Sequence, residues 1–431
     1  MNKLSRLQKT SFNFLLLFLV FFFIYGFFIG ENSAGGGGYN GDFQTTFKNL
    51  QLFVNNNFLD AIRLTANNNL YYTNRPPLLY ILHSLLNPFS NNKELYRLSV
   101  FFISLLVPFF FYLSLRIKFK NVNNFFLYSL SFLILLSPYF RTSSYWGLEE
   151  NYAFITLFLS FIFLKKFFLK NNYYYLCFAV FFSSVCIYFD QKFIIIPLIC
   201  FFLLIFSKIH LKYKVFSTLL YFLLSIPFIY LIWIWGNIIP VGNMDIYKVG
   251  KKFHPHHICY MVNIIAFYMF PFLFFFKKNR IKILFQSIFK KKINYLLLIS
   301  AFLYLFYFIL FLDITPSYRY GGGYSYKIAI FFSSSIFYQK IFLSLIFIFS
   351  LFILLIFIND NLINAFFILF FLLLSVMINP LLHEYFDPII FVLFFTFSQS
   401  QINLKMKNIF FTFFYFLIIL LVARMYNLND I

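Results

Sequence analysis

Only 13 of the 431 residues are acidic, so each carboxylate that sits beside a base, an aromatic or a glycine run is a place where chemistry could happen. Asp42 closes Tyr39-Asn40-Gly41-Asp42, just behind Gly35–Gly38. The glycines let the backbone take an irregular path, and the acid at its end reads either as a base or as a solvated turn aspartate. Arg75, in Tyr71-Tyr72-Thr73-Asn74-Arg75-Pro76-Pro77, precedes prolines suited to a first helical turn. Its guanidinium could grip a phosphate through two parallel hydrogen bonds. The segment from Ser137 to Asn151 carries Arg141, Glu149 and Glu150, charges that are expensive to place near lipid. Its Trp146 and tyrosines also fit an interfacial belt. Asp190-Gln191-Lys192 reads as a tight turn whose lysine either holds a phosphate or snorkels.

Three more clusters follow. His254-Pro255-His256-His257 has spacing that could hold a metal, without an acid nearby in sequence. Tyr318-Arg319-Tyr320 leads into Gly321-Gly322-Gly323, a cation beside a backbone able to approach an anion. No strand precedes it, so it is not a nucleotide-binding fingerprint. His383-Glu384-Tyr385-Phe386-Asp387-Pro388 packs three ionisable groups into six residues. The four cysteines, Cys177, Cys186, Cys200 and Cys259, show neither metal spacing nor a disulfide framework.

The elements that position these residues are apolar. Hydrophobic residues make up 62% of the chain and charged ones 11%, with a mean hydropathy of +0.81. That composition excludes an ordinary soluble domain. Runs of about 20 apolar residues recur throughout, and lipid admits such runs only as helices here. The fold class expected is all-α, a polytopic integral membrane protein. The 75 phenylalanines need no binding role, since bulk apolar side chains are what lipid-facing positions require. A net charge of +22 would suit a nucleic-acid binder, but the bases fall in short tracts between apolar runs, such as Arg116–Lys120, Lys208–Lys214 and Lys277–Lys282. That is the positive-inside pattern, and no nucleic-acid partner is expected.

Lys3, Arg6 and Lys9 place the N-terminus in the cytoplasm. The Ser11–Gly30 run reads as a retained helix, not a cleaved signal. A long first extracytoplasmic loop, 31–97, then carries amphipathic surface helices, with Pro77–Phe89 too short to cross. The spans expected after the first are 97–115, 124–139, 151–168, 173–188, 193–207, 215–235, 258–276, 294–312, 341–358, 362–379, 388–400 and 409–424, about 13 transmembrane helices in all. Residues 328–340 read as a re-entrant piece or an extra span. The second extracytoplasmic loop is 140–150, and residues 1–431 are expected to form a single domain. On this topology every acid except Asp360 faces outward.

In its order of features the chain resembles the GT-C superfamily of glycosyltransferases, which use polyprenyl-phosphate-linked sugars. The nearest likeness is to bacterial members related to protein mannosyltransferases and the lipid A aminoarabinose transferase, clearest over about residues 1–200. The family's essential first-loop acid matches Asp42, although Phe43 stands where a second acid is common, which weakens a metal-dependent reading. Its basic-residue-Pro-Pro-Leu segment matches Arg75-Pro76-Pro77-Leu78. Its second-loop acid matches Glu150, with Glu149 a close rival, and His254-Pro255 echoes a His-Pro segment before a later helix. The resemblance implies inverting transfer at the outer face of a bacterial cytoplasmic (inner) membrane. Asp42, Glu150 and Glu149 are then the catalytic candidates; Arg75, Arg141, Lys192, Arg319 and His254 are the phosphate-binding ones. No metal site is assigned, and a divalent metal is compatible but not required. The implied partners are a polyprenyl-phosphate sugar donor, membrane lipid, and a glycan, lipid or protein acceptor. A lipid-linked glycan flippase or transporter, or an O-antigen polymerase or ligase, stands as the alternative.

Overall fold

The computed structural model describes residues 6–34, 37–67, 69–240, 253–314, 321–378 and 380–428. Every regular element among them is helical. Where the sequence reading treats 1–431 as one domain, the fold has two compact units, Met1–Asp245 with Phe413–Ile431, and Ile246–Thr412.

The first unit opens with α1 (Arg6–Phe28). Short helices follow: α2 (Gln44–Val54), α3 (Phe58–Leu64) and α4 (Leu78–Leu86). Next come α5 (Lys93–Ser104), α6 (Leu106–Lys118), α7 (Asn124–Phe132) and α8 (Pro138–Trp146). It continues with α9 (Glu150–Lys170), α10 (Tyr173–Phe189), α11 (Ile195–Phe206) and α12 (Leu211–Trp235). In its centre α9 packs on α6 and α10, and α10 packs on α12. Lipid tails are as apolar as leucine, so such contacts rest on close packing and hydrogen bonds more than on water exclusion. Small buried serines serve this: Ser160 and Ser183 turn back to the carbonyls of Leu157 and Val180 at 2.8 and 2.9 Å. At Pro227, inside α12, the Tyr188 hydroxyl inserts into the ladder. It accepts from the Phe228 amide at 3.2 Å and donates to the Leu224 carbonyl. A foreign hydroxyl thus satisfies backbone groups where a proline interrupts a helix.

The second unit holds α13 (His257–Met269), α14 (Lys278–Ile288), α15 (Lys292–Phe311), α16 (Gly323–Phe332), α17 (Ile336–Asp360), α18 (Leu362–Met377) and α19 (Ile389–Phe395). α13 is its core, packed against α16, α17 and α18. The last helix, α20 (Met406–Leu428), belongs to the first unit from Phe413 onward.

Among the described residues, seven helices are long and apolar enough to cross a membrane: Lys93–Lys118, Glu150–Lys170, Leu211–Trp235, His257–Phe275, Lys292–Phe311, Ile336–Asp360 and Met406–Asn427. Leu219, Phe222 and Trp233 on α12, and Phe302, Leu303 and Phe306 on α15, stay exposed, as lipid-facing rows do. Asn13–Phe28, Tyr173–Phe189, Gln191–Phe206 and Leu362–Met377 are shorter apolar helices. Three expected elements come out differently. The run 124–139 is not one straight span, because Asn124–Leu136 and Pro138–Trp146 meet at 72°. Ser137 is extended there and caps the new helix by accepting from the Phe140 amide, while Pro138 takes the first helical position. Residues 388–400 give only the seven-residue α19, about 10 Å long at the α-helical rise, too short to cross. Residues 328–340 divide between the end of α16 and the start of α17, so they are no separate span.

Candidate functional site

The short helix expected within Pro77–Phe89 is α4, with Leu79, Tyr80 and His83 buried and Leu85 and Leu86 exposed. The chain approaching it is pinned. Tyr71 donates its hydroxyl to the Arg75 carbonyl at 2.7 Å. The Gln191 amide donates to the Asn74 carbonyl at 2.7 Å. Facing this segment is the junction of α8 and α9. Gly147 ends α8 with φ 72°, a left-handed conformation that glycine takes without steric cost. Two residues later Glu149 and Glu150 open α9, and acids suit the positive end of a helix.

Arg75 reaches all three acids of this neighbourhood. Its Nη1 lies 2.6 Å from Glu149 Oε2 and its Nη2 2.7 Å from Glu150 Oε1. Its Nε lies 3.6 Å from Asp190 Oδ2. Lys192 Nζ approaches Glu150 Oε1 at 3.1 Å and Asp190 Oδ2 at 3.3 Å. Neutral donors complete the acids. Tyr80 donates to Glu149 Oε1 at 2.6 Å, and Ser143 donates to Glu150 Oε2 at 2.9 Å. Behind Tyr80, the Asn49 side-chain amide donates to its hydroxyl at 3.3 Å and accepts from the Tyr72 amide at 2.9 Å. The five charged side chains are between 1% and 16% exposed.

Three carboxylates against two cations leave this cluster one negative charge in surplus. Burial raises the Glu149 carboxyl above its ordinary value, against the pull of Arg75. That makes Glu149 the acid of this cluster better suited to take up a proton. Nearby, burial lowers His83 to about 4. The Asn87 amide donates to its Nδ1 at 2.9 Å, so its Nε2–H faces the Tyr152 hydroxyl at 2.6 Å. Chemically the cluster combines a fork-shaped cation, a second cation and an acid biased toward protonation.

Of the residues singled out in sequence, the structure joins Arg75, Glu149, Glu150 and Lys192. Asp42 is not one of the side chains these bonds join. It lies half-buried in the turn Tyr39–Phe43, which Phe43 seats against Tyr96 and Trp146 at ring separations of 6.3 and 6.4 Å. Arg141 is placed differently from a phosphate ligand, because it has no exposed side-chain surface. Its Nε and Nη2 hold the two oxygens of Glu31 at 2.7 and 2.6 Å. The carbonyls of Leu135 and Phe22 take its remaining bonds at 3.2 and 3.0 Å. Arg319 lies outside the described residues. Tyr80 and Ser143 carried no sequence signal, and Asp190 showed only as a turn residue.

His254 belongs to the second unit. One ring nitrogen from each of His254, His256 and His257 lies within 4.8 Å of the others. Burial, followed by its two histidine neighbours, lowers His256 to about 3. His383 is also buried there and accepts from the Tyr324 amide at 2.7 Å, a close approach that Gly323, at φ 77°, permits. No family model matches this chain, nor does any curated protein or solved structure.

Proposed function

We propose that this chain is a membrane glycosyltransferase that moves a sugar from a polyprenyl-phosphate-linked donor to an acceptor at the outer face of a bacterial cytoplasmic membrane, with its N-terminus in the cytoplasm. The observation that carries the reading is the convergence of Arg75 and Lys192 on Glu149, Glu150 and Asp190 at the mouth of an apolar helix. Buried ion clusters add little to stability compared with apolar packing, whereas such concentrations of charge are common where proton transfer or anion binding takes place.

In this reading the donor phosphate enters between Arg75 and Lys192 and takes over bonds that the carboxylates hold in its absence. Arginine suits this exchange, since its fork matches phosphate as well as carboxylate. The negative charge that grows on the departing polyprenyl phosphate is met by cations already in position. Glu149, biased toward protonation by burial, takes the proton of the acceptor hydroxyl as it attacks the anomeric carbon. Tyr80 orients that carboxylate. Glu150 keeps Arg75 and Lys192 in register, and Glu149 takes the base role that the family resemblance implies for Asp42, which none of the bonds described in this cluster joins.

The test is sugar transfer from a panel of polyprenyl-phosphate sugars in proteoliposomes. Wild type is compared with Glu149→Gln, Glu150→Gln and Asp42→Asn, each first shown to be folded. Transfer by wild type with a loss of about 100-fold or more in Glu149→Gln is expected, the usual weight of a general base. Full activity in that variant removes Glu149 from the role. Movement of intact lipid-linked glycan without transfer would favour a flippase instead.

A further inference from the structure

We infer that the second unit holds a binding site for a borderline divalent transition-metal ion, with Zn²⁺ as the best chemical fit, built from His254, His256 and His257. This stands apart from the glycosyltransferase reading and uses none of the Arg75 cluster. One ring nitrogen from each histidine lies within 4.8 Å of the other two. Ring centroids are 5.8 Å apart for His254 and His256, 5.1 Å for His254 and His257, and 4.4 Å for His256 and His257. Three imidazoles on one tetrahedral ion sit with their nitrogens about 3.4 Å apart at ordinary Zn–N lengths. Closing from 4.8 Å to that spacing calls on the half-buried His254 and His256 rings, which are less enclosed than His257.

Two further observations point to a ligand set and not to mere ring packing. The first is how His257 is held. Its Nδ1 faces the Ser375 carbonyl at 3.0 Å, so Nδ1 carries the proton and Nε2 keeps its lone pair. A carbonyl behind the distal nitrogen is the usual way a protein fixes the tautomer of a metal-ligating histidine. The second is how the turn is anchored. The His254 amide donates to the Val376 carbonyl at 2.9 Å, and Tyr304 donates to the Pro255 carbonyl at 2.9 Å. The same Tyr304 oxygen accepts from the Cys259 amide at 3.0 Å. The His257 ring and the backbone at His254–Pro255 are therefore set on the neighbouring helices α18 and α15. The positive end of α13 opposes a cation here. Asp313 offsets it in part, its negative charge acting on His256. Three imidazoles with a fourth position left to water or a carboxylate is a recognised zinc set.

The experiment titrates Co²⁺, then Zn²⁺, into the metal-free full chain in lipid nanodiscs. Wild type is expected to bind one equivalent of Co²⁺ with the visible bands of a four-coordinate site, and Zn²⁺ to displace it. His254→Gln and His256→Gln should each weaken binding at least tenfold, and His210→Gln, an exposed histidine of the other unit, should leave it unchanged. Unfolding temperatures without metal identify any variant that has merely lost its fold. For that case, X-ray absorption of Zn²⁺ bound to wild type gives an independent count. Three imidazole nitrogens support the site; fewer than two overturn it. Absence of binding, or binding that survives both substitutions, also overturns it.

Discussion

Arg75 is bonded by two glutamates and approached by an aspartate, and this fixes what its removal does. Arg75→Ala leaves three carboxylates and one lysine with little water to screen them. Breaking a buried pair from one side costs about 3–5 kcal/mol, so thermal unfolding of the variant in lipid should fall well below wild type. Arg75→Lys should lie between, since it keeps the charge and loses the fork. Adding Glu149→Gln to Arg75→Ala should recover part of the loss. Unchanged unfolding in Arg75→Ala would mean the cluster is solvated and loosely held. The types of these residues were legible in sequence, because arginine and adjacent acids beside apolar runs are conspicuous. Tyr80 was not, being one of 32 tyrosines with no local pattern to mark it. Arg141 misled for the converse reason: its partner Glu31 is 110 residues away, and spacing carries nothing about so distant a pair.

Helices α1 and α8 meet around that Arg141–Glu31 pair, and Tyr145 adds a 2.6 Å bond to the Phe23 carbonyl. Gly26 makes the approach possible, since a β-carbon there would run into Arg141, Tyr145 and Glu31 at once. Gly26→Ala gains up to about 1 kcal/mol in helix propensity. Against this stands overpacking worth about 1–3 kcal/mol, applied to a charge pair with no free surface to move into. The net effect should be a lowered unfolding temperature; an equal or higher one would show that α1 can shift at little cost. At this scale the apolar helices are legible in sequence, because transfer free energy is a sum over residues. Where hydrogen-bonded runs stop is not. Ser137 and Pro138 end the expected span 124–139 at Leu136 and open a helix, α8, through most of the expected loop 140–150, and α19 ends after seven residues although the run around it is longer.

For the molecule as a whole, composition alone placed the chain among all-helical proteins with helices fit for a bilayer. The division into two compact units lay beyond composition, although in sequence the polar stretch 242–252, with Asn243, Asp245, Lys248, Lys251 and Lys252, spans the boundary. Buried histidines set its response to acid. His83 binds a proton less readily folded, at about 4, than in an unfolded chain near the ordinary 6.5. Its contribution to stability is therefore complete above pH 6.5 and drains away as pH falls toward 4. His383, brought to about 3 by burial, acts in the same direction. Unfolding temperature measured from pH 7.5 to pH 4 should fall over the lower half of that range, and His83→Gln should flatten part of the decline. A profile that is flat in wild type, or unaltered in the variant, would refute this.

The charge cluster draws on three stretches of chain that are made at different times. Arg75 leaves the ribosome 74 residues ahead of Glu149, and Lys192 emerges 42 residues after Glu150. At cellular rates of synthesis the interval from first to last is on the order of ten seconds. Through that interval the early loop has no finished partner. A nascent chain halted after α9 displays both glutamates and Arg75 without the lysine and aspartate that complete them. Biogenesis thus has a late closing event, and residues 190–192 set its clock.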